Sequence, residues 1–304
     1  MKQTILDSYG INAIGFIKVS KNVYKVKTSE GFYALKMVES QSVEVSYEHI
    51  RTLHLQCFVI IIKNNNRTIL TRFENCYFYL MPWLENDQVV MKEIKLKYYF
   101  ESLAYIHNQS FFNYNVSHSY FDQQVEDIMR IIDEREQYYL SIMTNYEAMQ
   151  QKTPSGWIFV LNYYRMMEGL QKARLYLEKY VEYTKDKDTI RLSLVYNNFN
   201  YQHVLMGERK LIAIDKVDID ICIYDIYNMY QKVPELLFDL DGISMYYLSK
   251  VKLLPEEKLL LSCLLCIVPY IEIEKDEIRN IVKISRLLYY LDSIYTLIEQ
   301  LSID

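Results

Sequence analysis

The stretch from Leu192 to Asp225, LSLVYNNFNYQHVLMGERKLIAIDKVDIDICIYD, constrains the fold more than any other part of the chain. Apolar residues alternate with others from Leu192 to Tyr196, which predicts a strand with one buried face. A polar loop follows at 197–203, and two short apolar runs within 204–214 predict a hairpin. Loops carried by a rigid sheet often hold functional groups, so the pattern predicts polar side chains presented on a small sheet.

Composition indicates that the remainder is mostly helical. The chain has only 7 Gly and 5 Pro in 304 residues, so little of it can be linker or turn-dense β structure. With 51% hydrophobic residues, it can bury one large core or two moderate ones.

Alternating strands are predicted in the first part of the chain and long helices in the second. The strand segments, which complete a sheet of about five strands, are 15–19, 23–28, 32–38, 59–62, 68–73 and 77–81. The principal helical segments are 43–56, 90–108, 121–151, 156–185, 226–240, 243–251, 256–268 and 276–301.

The order of these motifs resembles the aminoglycoside phosphotransferase and choline kinase branch of the protein-kinase-like folds. Its pattern H-G-D-x-H-x-x-N, hairpin, I-D-[FW]-[DE], D-L aligns with residues 196–203, 214–218 and 225–226. Upstream, Tyr33-Ala34-Leu35-Lys36 resembles the third-strand lysine motif, and residues 80–85 resemble the hinge. The resemblance implies a bilobal α+β protein-kinase-like fold, with a β-rich N-lobe at 1–84 and a helical C-lobe at 85–304.

The same resemblance implies a nucleotide site. Lys36 is expected to bind ATP phosphates and to pair with a glutamate on the next helix, where Glu48 is preferred over Glu44. The backbone groups of Met81 and Trp83 are expected to face the adenine.

Two positions depart from the family pattern where its chemistry is carried out. Asn198 stands in place of the catalytic Asp, and an amide cannot take up a proton at neutral pH. His203 replaces the metal-binding Asn, and imidazole is a poor ligand for Mg2+. With Asp215 as its partner, His203 is a candidate for a transition metal instead. We therefore expect a catalytically weak or inactive kinase-like protein, in which binding of ATP with Mg2+ remains an open question.

Three further segments resemble bacterial spore-coat kinase-like proteins of the CotS type. They are Pro154-Ser155, Tyr163-Tyr164 and the run 254–261. This resemblance implies a protein made in the cytoplasm, with deposition on the spore surface and other spore-coat proteins as partners.

Two alternatives stay open at this stage. One is an active small-molecule phosphotransferase with rearranged catalytic groups, in which Asp215 or Asp218 is the essential acid. The other is a helical scaffold unrelated to kinases, although that fold would not explain the order of sheet, hinge and polar loop.

Other features exclude whole classes of function. A net charge of -5 argues against nucleic acid as a partner. The chain opens without the apolar run of a signal peptide, and its longest near-apolar run, 259–271, is shorter than the roughly 20 residues that span a bilayer. Both observations predict a cytoplasmic protein without a transmembrane segment.

The cysteines and tyrosines have two interpretations each. Cys263 and Cys266 have the spacing of a metal or redox pair, but their apolar surroundings favour core packing. The 30 Tyr indicate either a codon bias or oxidative cross-linking of exposed rings, and their core-like spacing favours the first.

Overall fold

The computed structural model describes residues 2–85, 90–232 and 240–301. The chain divides into two compact units, each built from two segments: Met1–Ser110 with Leu194–Ile219, and Phe111–Ser193 with Asp220–Asp304. The first unit therefore holds more than the predicted N-terminal lobe at 1–84, since it also contains the polar loop and hairpin.

Strands dominate the first part of the chain and helices the second, so the predicted α+β class is confirmed. In chain order the elements are α1 (Lys2–Asp7), β1 (Gly15–Lys18), β2 (Val23–Lys27), β3 (Phe32–Val38), α2 (Ser42–Thr52), β4 (Thr71–Phe73), β5 (Cys76–Pro82), α3 (Lys92–Ser110), β6 (Phe112–Asn115), α4 (His118–Glu147), α5 (Pro154–Thr184), β7 (Thr189–Val195), β8 (Val204–Leu205), β9 (Lys210–Leu211), β10 (Asp218–Asp220), α6 (Ile223–Tyr230), α7 (Asp241–Lys250), α8 (Pro255–Cys266) and α9 (Glu277–Gln300). Short 3-10 turns occupy Tyr201–His203 and Ile214–Lys216.

A five-stranded antiparallel sheet in the order β1-β2-β3-β5-β4 organises the first unit. Its register sets opposite faces for neighbouring residues of β3 and β5. Leu35 lies opposite Leu80, and Lys36 lies opposite Tyr79. Because side chains alternate along a strand, the leucines face one side of the sheet while Lys36 and Tyr79 face the other.

Helix α1 covers the leucine face of this sheet. The core there consists of Ile5, Leu6, Tyr9, Val26, Leu35, Phe78 and Leu80. Burial of this face leaves the opposite side of β3 and β5 available to line a site.

The segment 59–62, predicted as a strand, forms only isolated bridges. Phe58 bridges Leu211 in parallel, and Ile62 bridges Leu80 in antiparallel orientation. Because the two contacts go to different partners, no continuous ladder forms. The segment instead connects the β8–β9 hairpin with the edge of β5.

Helices α4, α5, α8 and α9 are the main elements of the second unit. Helix α5 begins at Pro154, two residues before the predicted start at 156, because Thr153 caps it by accepting a hydrogen bond from Gly156 N–H at 3.2 Å and Pro154 suits the first helical position. Asp276 caps α9 in the same way, through Ile278 N–H at 3.0 Å.

Tyrosine is a major core residue of this fold. Among the largest fully buried side chains are Tyr79, Tyr99, Tyr139, Tyr180, Tyr196, Tyr230, Tyr247 and Tyr290. The core-like spacing of tyrosine in the sequence thus corresponds to burial, with aromatic pairs such as Tyr99 and Phe199 at 4.6 Å between ring centroids. Within the described ranges, no helix combines the length and the apolar character needed to cross a membrane.

Candidate functional site

A cavity of about 590 Å³ lies in the first unit between the sheet and the polar loop. The sheet contributes Ala34, Lys36 and Met81, the polar loop contributes His203, and the segment after β9 contributes Ile212. Trp83 also lines it. A larger cavity of about 800 Å³ lies in the second unit, where α5, α8 and α9 line it, but it contains none of the predicted site residues.

Lys36 forms an ion pair with Asp215, which lies 179 positions later in the chain. Both groups are largely shielded from water, since their side chains are 13% and 26% exposed. Asp215 lies on the 3-10 turn that follows Ala213, a residue with a left-handed backbone (φ 61°). This turn directs the carboxylate towards β3.

The predicted pair between Lys36 and Glu48 is absent. Glu48 instead accepts a hydrogen bond from Arg51 Nε at 2.9 Å, and its other oxygen lies 3.8 Å from Lys63 Nζ. The reason is the rotation of α2. Ser46 faces the 3-10 turn, donating its hydroxyl to Val217 O at 2.7 Å, and Glu48 is two residues, or about 200°, further round the helix.

The polar loop is held by its own amides. The side-chain nitrogen of Asn198 donates to Ala213 O at 2.7 Å, so this amide is committed to the backbone before Asp215. His203 Nδ1 lies 2.8 Å from the carbonyl oxygen of Asn198. Because a carbonyl can only accept, Nδ1 carries a proton and donates it to this bond.

The predicted contacts of Met81 and Trp83 with an adenine are corrected by the sheet register. Trp83 N–H donates to Phe32 O at 2.9 Å, and Met81 lies two residues earlier, opposite Ala34. Bonded pairs recur every second residue in an antiparallel ladder, so Met81 is also engaged with β3.

The backbone groups that point away from β3 belong to the residues that alternate with Met81 and Trp83. Leu80 O accepts from Ile62 N–H at 2.8 Å on the side away from β3. By the same alternation, the carbonyl of Pro82 and the N–H of Leu84 point away from β3, and both residues line the cavity. The alternation of β5 is visible in the sequence, but only the register shows which alternate residues bond to β3 and which point away from it.

Mg2+ is the metal that the predicted fold implies for this cavity. Mg2+ demands near-octahedral oxygen ligands, whereas the cavity is lined by the imidazole of His203, and Asp215, next to the lining, is already paired with Lys36. Asp218 is not among the residues that line the cavity, and its Oδ1 accepts from Ile219 N–H at 2.8 Å. No cluster of three His, Cys, Asp or Glu side chains within the described ranges could hold a metal ion. The residues do not fit Mg2+, in agreement with the imidazole at position 203, and a transition-metal role for Asp215 and His203 stays a prediction.

Cys263 and Cys266 lie in the buried core of α8. Burial raises the pKa of the Cys266 thiol to about 12 and that of Cys263 further. Protonated, buried thiols do not ligate metal or exchange disulfides at neutral pH, so the core-packing interpretation is confirmed.

Solved structures supply the comparison with known proteins. No protein-family model matches the chain. No curated protein matches it either. It is similar to an aminoglycoside phosphotransferase from Alicyclobacillus acidocaldarius subsp. acidocaldarius DSM 446, with a TM-score of 0.71, 11% identity, and 99% of this chain and 97% of that chain covered.

Two further similar structures are antibiotic phosphotransferases. Spectinomycin phosphotransferase APH(9)-Ia, in complex with ADP and spectinomycin, gives a TM-score of 0.54 at 12% identity, covering 97% of this chain and 98% of that chain. A thermostable mutant of aminoglycoside phosphotransferase APH(4)-Ia gives 0.52 at 10% identity, covering 96% and 99%. The chain therefore has the protein-kinase-like fold of aminoglycoside phosphotransferases, as predicted.

Proposed function

We propose that this protein binds a nucleotide in the cavity of its first unit and acts by binding, with phosphotransfer weak or absent. The observation that carries the proposal is the commitment of Asn198, whose amide nitrogen is bonded to Ala213 O at 2.7 Å. A side chain without a titratable oxygen, and tied to the backbone, is a poor general base. The loss of such a base commonly costs about 10² to 10⁴ in rate.

Nucleotide binding is supported by the size and chemistry of the cavity. A volume of about 590 Å³ lies within the usual range for small-molecule sites. Apolar Ala34 and Met81 line one part and the cationic Lys36 another, which suits a base and a phosphate. The similar spectinomycin phosphotransferase was solved with ADP.

Calorimetry with ADP and ATP tests the binding. We expect measurable affinity in the native protein and its loss in Lys36→Ala, whereas Lys97→Ala, an exposed lysine on α3, serves as the matched control. Absence of binding to any nucleotide would remove this part of the proposal.

Enzyme assays test the catalytic part. ATP-dependent phosphorylation of a small hydroxylated metabolite, at ordinary turnover and abolished in Lys36→Ala, would establish the alternative of an active phosphotransferase. We expect no such turnover above the level of Asn198→Ala, which lacks the amide altogether.

The biological setting that we propose is spore-coat assembly, with other coat proteins as partners. It rests on the resemblance of Pro154-Ser155 and Tyr163-Tyr164 to the spore-coat group. An apolar face on α5 supports a protein-binding role, since Trp157, Leu161 and Tyr164 follow one another at helical spacing and are 53%, 66% and 65% exposed.

Localisation in a sporulating host tests this setting. A fluorescent fusion should concentrate at the spore surface, and Leu161→Glu should disperse it without loss of folding. A Gln171→Glu fusion, altered at an exposed polar position of the same helix, should localise normally. Uniform cytoplasmic fluorescence of the unaltered fusion would contradict the proposal.

A further inference from the structure

The ion pair of Lys36 and Asp215 changes what the cavity can bind. Lys36 is a cationic side chain that lines the cavity, and Asp215 is the carboxylate paired with it. Asp215 itself lies behind Lys36, outside the residues that line the cavity, and the carboxylate of the lining, Glu85, is occupied by Lys25 Nζ at 2.8 Å and by Trp83 Nε1 at 2.9 Å. An incoming phosphate therefore competes with Asp215 for the ammonium of Lys36.

A divalent cation would compete with Lys36 for the carboxylate of Asp215. It would have to displace Lys36 from Asp215 and then complete its coordination with His203 in place of an oxygen ligand. Metal binding and the ion pair compete for the same carboxylate, since Lys36 already holds its Oδ1. Loading the cavity with a metal-nucleotide complex would thus weaken the contact between Lys36 and Asp215.

We infer that the cavity binds a nucleoside di- or triphosphate without a divalent cation, and that Asp215 competes with the phosphates for Lys36 instead of holding metal. The inference rests on the proposed nucleotide binding and specifies the form of its ligand. Lys36 supplies the charge that the phosphates require, and the carboxylate of Asp215 sets how much of that charge is available.

The inference reverses the expected effect of removing the carboxylate. If Asp215 held Mg2+, Asp215→Asn would weaken nucleotide binding. If it competes for Lys36, the same substitution releases the ammonium and strengthens binding, by about tenfold for a competitor worth about 1.4 kcal/mol. The two mechanisms therefore predict opposite signs for one variant.

Calorimetry with ADP provides the test, in EDTA and then with MgCl₂ or MnCl₂. We expect the dissociation constant in EDTA to match that with either metal within about threefold, and to fall in Asp215→Asn but not in the matched Glu39→Gln, an exposed carboxylate after β3. MnCl₂ is included because His203 suits a transition metal better than Mg2+.

Electron paramagnetic resonance of Mn2+ gives a second readout that needs no variant. The signal of free Mn2+ in the presence of ADP should not fall on adding native protein, and it should rise where the protein takes ADP from its Mn2+ complex. Metal that tightens ADP binding tenfold or more, Mn2+ that disappears from the free signal, or weaker binding in a folded Asp215→Asn would each overturn the inference and leave nucleotide binding intact. Absence of ADP binding under every condition would instead overturn the proposed nucleotide function.

Discussion

The amide nitrogen of Asn198 donates a hydrogen bond to the carbonyl oxygen of Ala213 at 2.7 Å. Ala213 immediately precedes the 3-10 turn that carries Asp215, and its φ of 61° is a left-handed conformation that alanine adopts only at a cost. The bond thus couples the polar loop to the turn that positions the partner of Lys36. Asn198 acts here as a donor that stabilises the site.

Restoring the family carboxylate should destabilise this protein. Asn198→Asp places an acceptor against the Ala213 carbonyl, and we expect the free energy of unfolding to fall by about 1–3 kcal/mol at neutral pH. Urea denaturation measures the change. The control is Asn200→Asp, since Asn200 Oδ1 accepts from Gln202 N–H at 2.9 Å and a carboxylate can do the same. Equal stabilities of the two variants would contradict the prediction.

The ion pair of Lys36 and Asp215 should show measurable coupling. Lys36→Met leaves a carboxylate that is only 26% exposed without its counter-ion, and Asp215→Asn leaves the ammonium. In a double-mutant cycle we expect a coupling free energy of about 1–2 kcal/mol, intermediate between surface and buried pairs. The comparison pair is Lys25 with Glu85, whose carboxylate is 75% exposed, and this pair should couple more weakly.

Removal of the Tyr79 hydroxyl should not destabilise the protein. Tyr79 is fully buried, and its hydroxyl has no hydrogen-bond partner within the described ranges. Tyr79→Phe should leave the free energy of unfolding unchanged or raise it by about 1 kcal/mol. Tyr290→Phe is the contrast, since it loses a bond to Leu265 O at 2.8 Å and should cost about 1 kcal/mol or more. A clear loss of stability in Tyr79→Phe would show that the hydroxyl has a partner.

Buried tyrosines should make the protein sensitive to alkali. Burial raises the pKa values of Tyr79, Tyr139, Tyr180, Tyr247 and Tyr290 well above 10. Since these groups bind their protons more tightly in the folded state, their stabilising effect is complete below the unfolded pKa of about 10 and declines as pH rises above it.

The number of buried tyrosines sets how steeply the free energy of unfolding falls with pH. Each contributes up to about 1.4 kcal/mol per pH unit, so five together remove about 7 kcal/mol per unit, close to a typical total stability. Phenolate absorbance should therefore rise in two phases, exposed rings first and buried rings together with unfolding followed by circular dichroism. A single smooth titration without unfolding would contradict this.

Local sequence patterns determined the elements whose pairing is short in range. The alternation of β2 and β3 depends on neighbouring residues, so both strands are predicted correctly. The replacement of two family residues by Asn198 and His203 is likewise visible in the sequence alone. These features established the fold and raised doubt about catalysis.

Only the tertiary structure decided which groups the site residues contact. Lys36 is expected to pair with a glutamate on α2, with Glu48 preferred for its family register, yet the rotation of α2 turns Glu48 towards Arg51. Lys36 pairs with Asp215 instead. Whether Met81 meets a base or a strand likewise depends on a register with β3, and the bond of Asn198 depends on the return of the chain at Ala213. Each of these contacts joins residues that are distant in the chain, and such contacts are set by which faces remain after the core has packed.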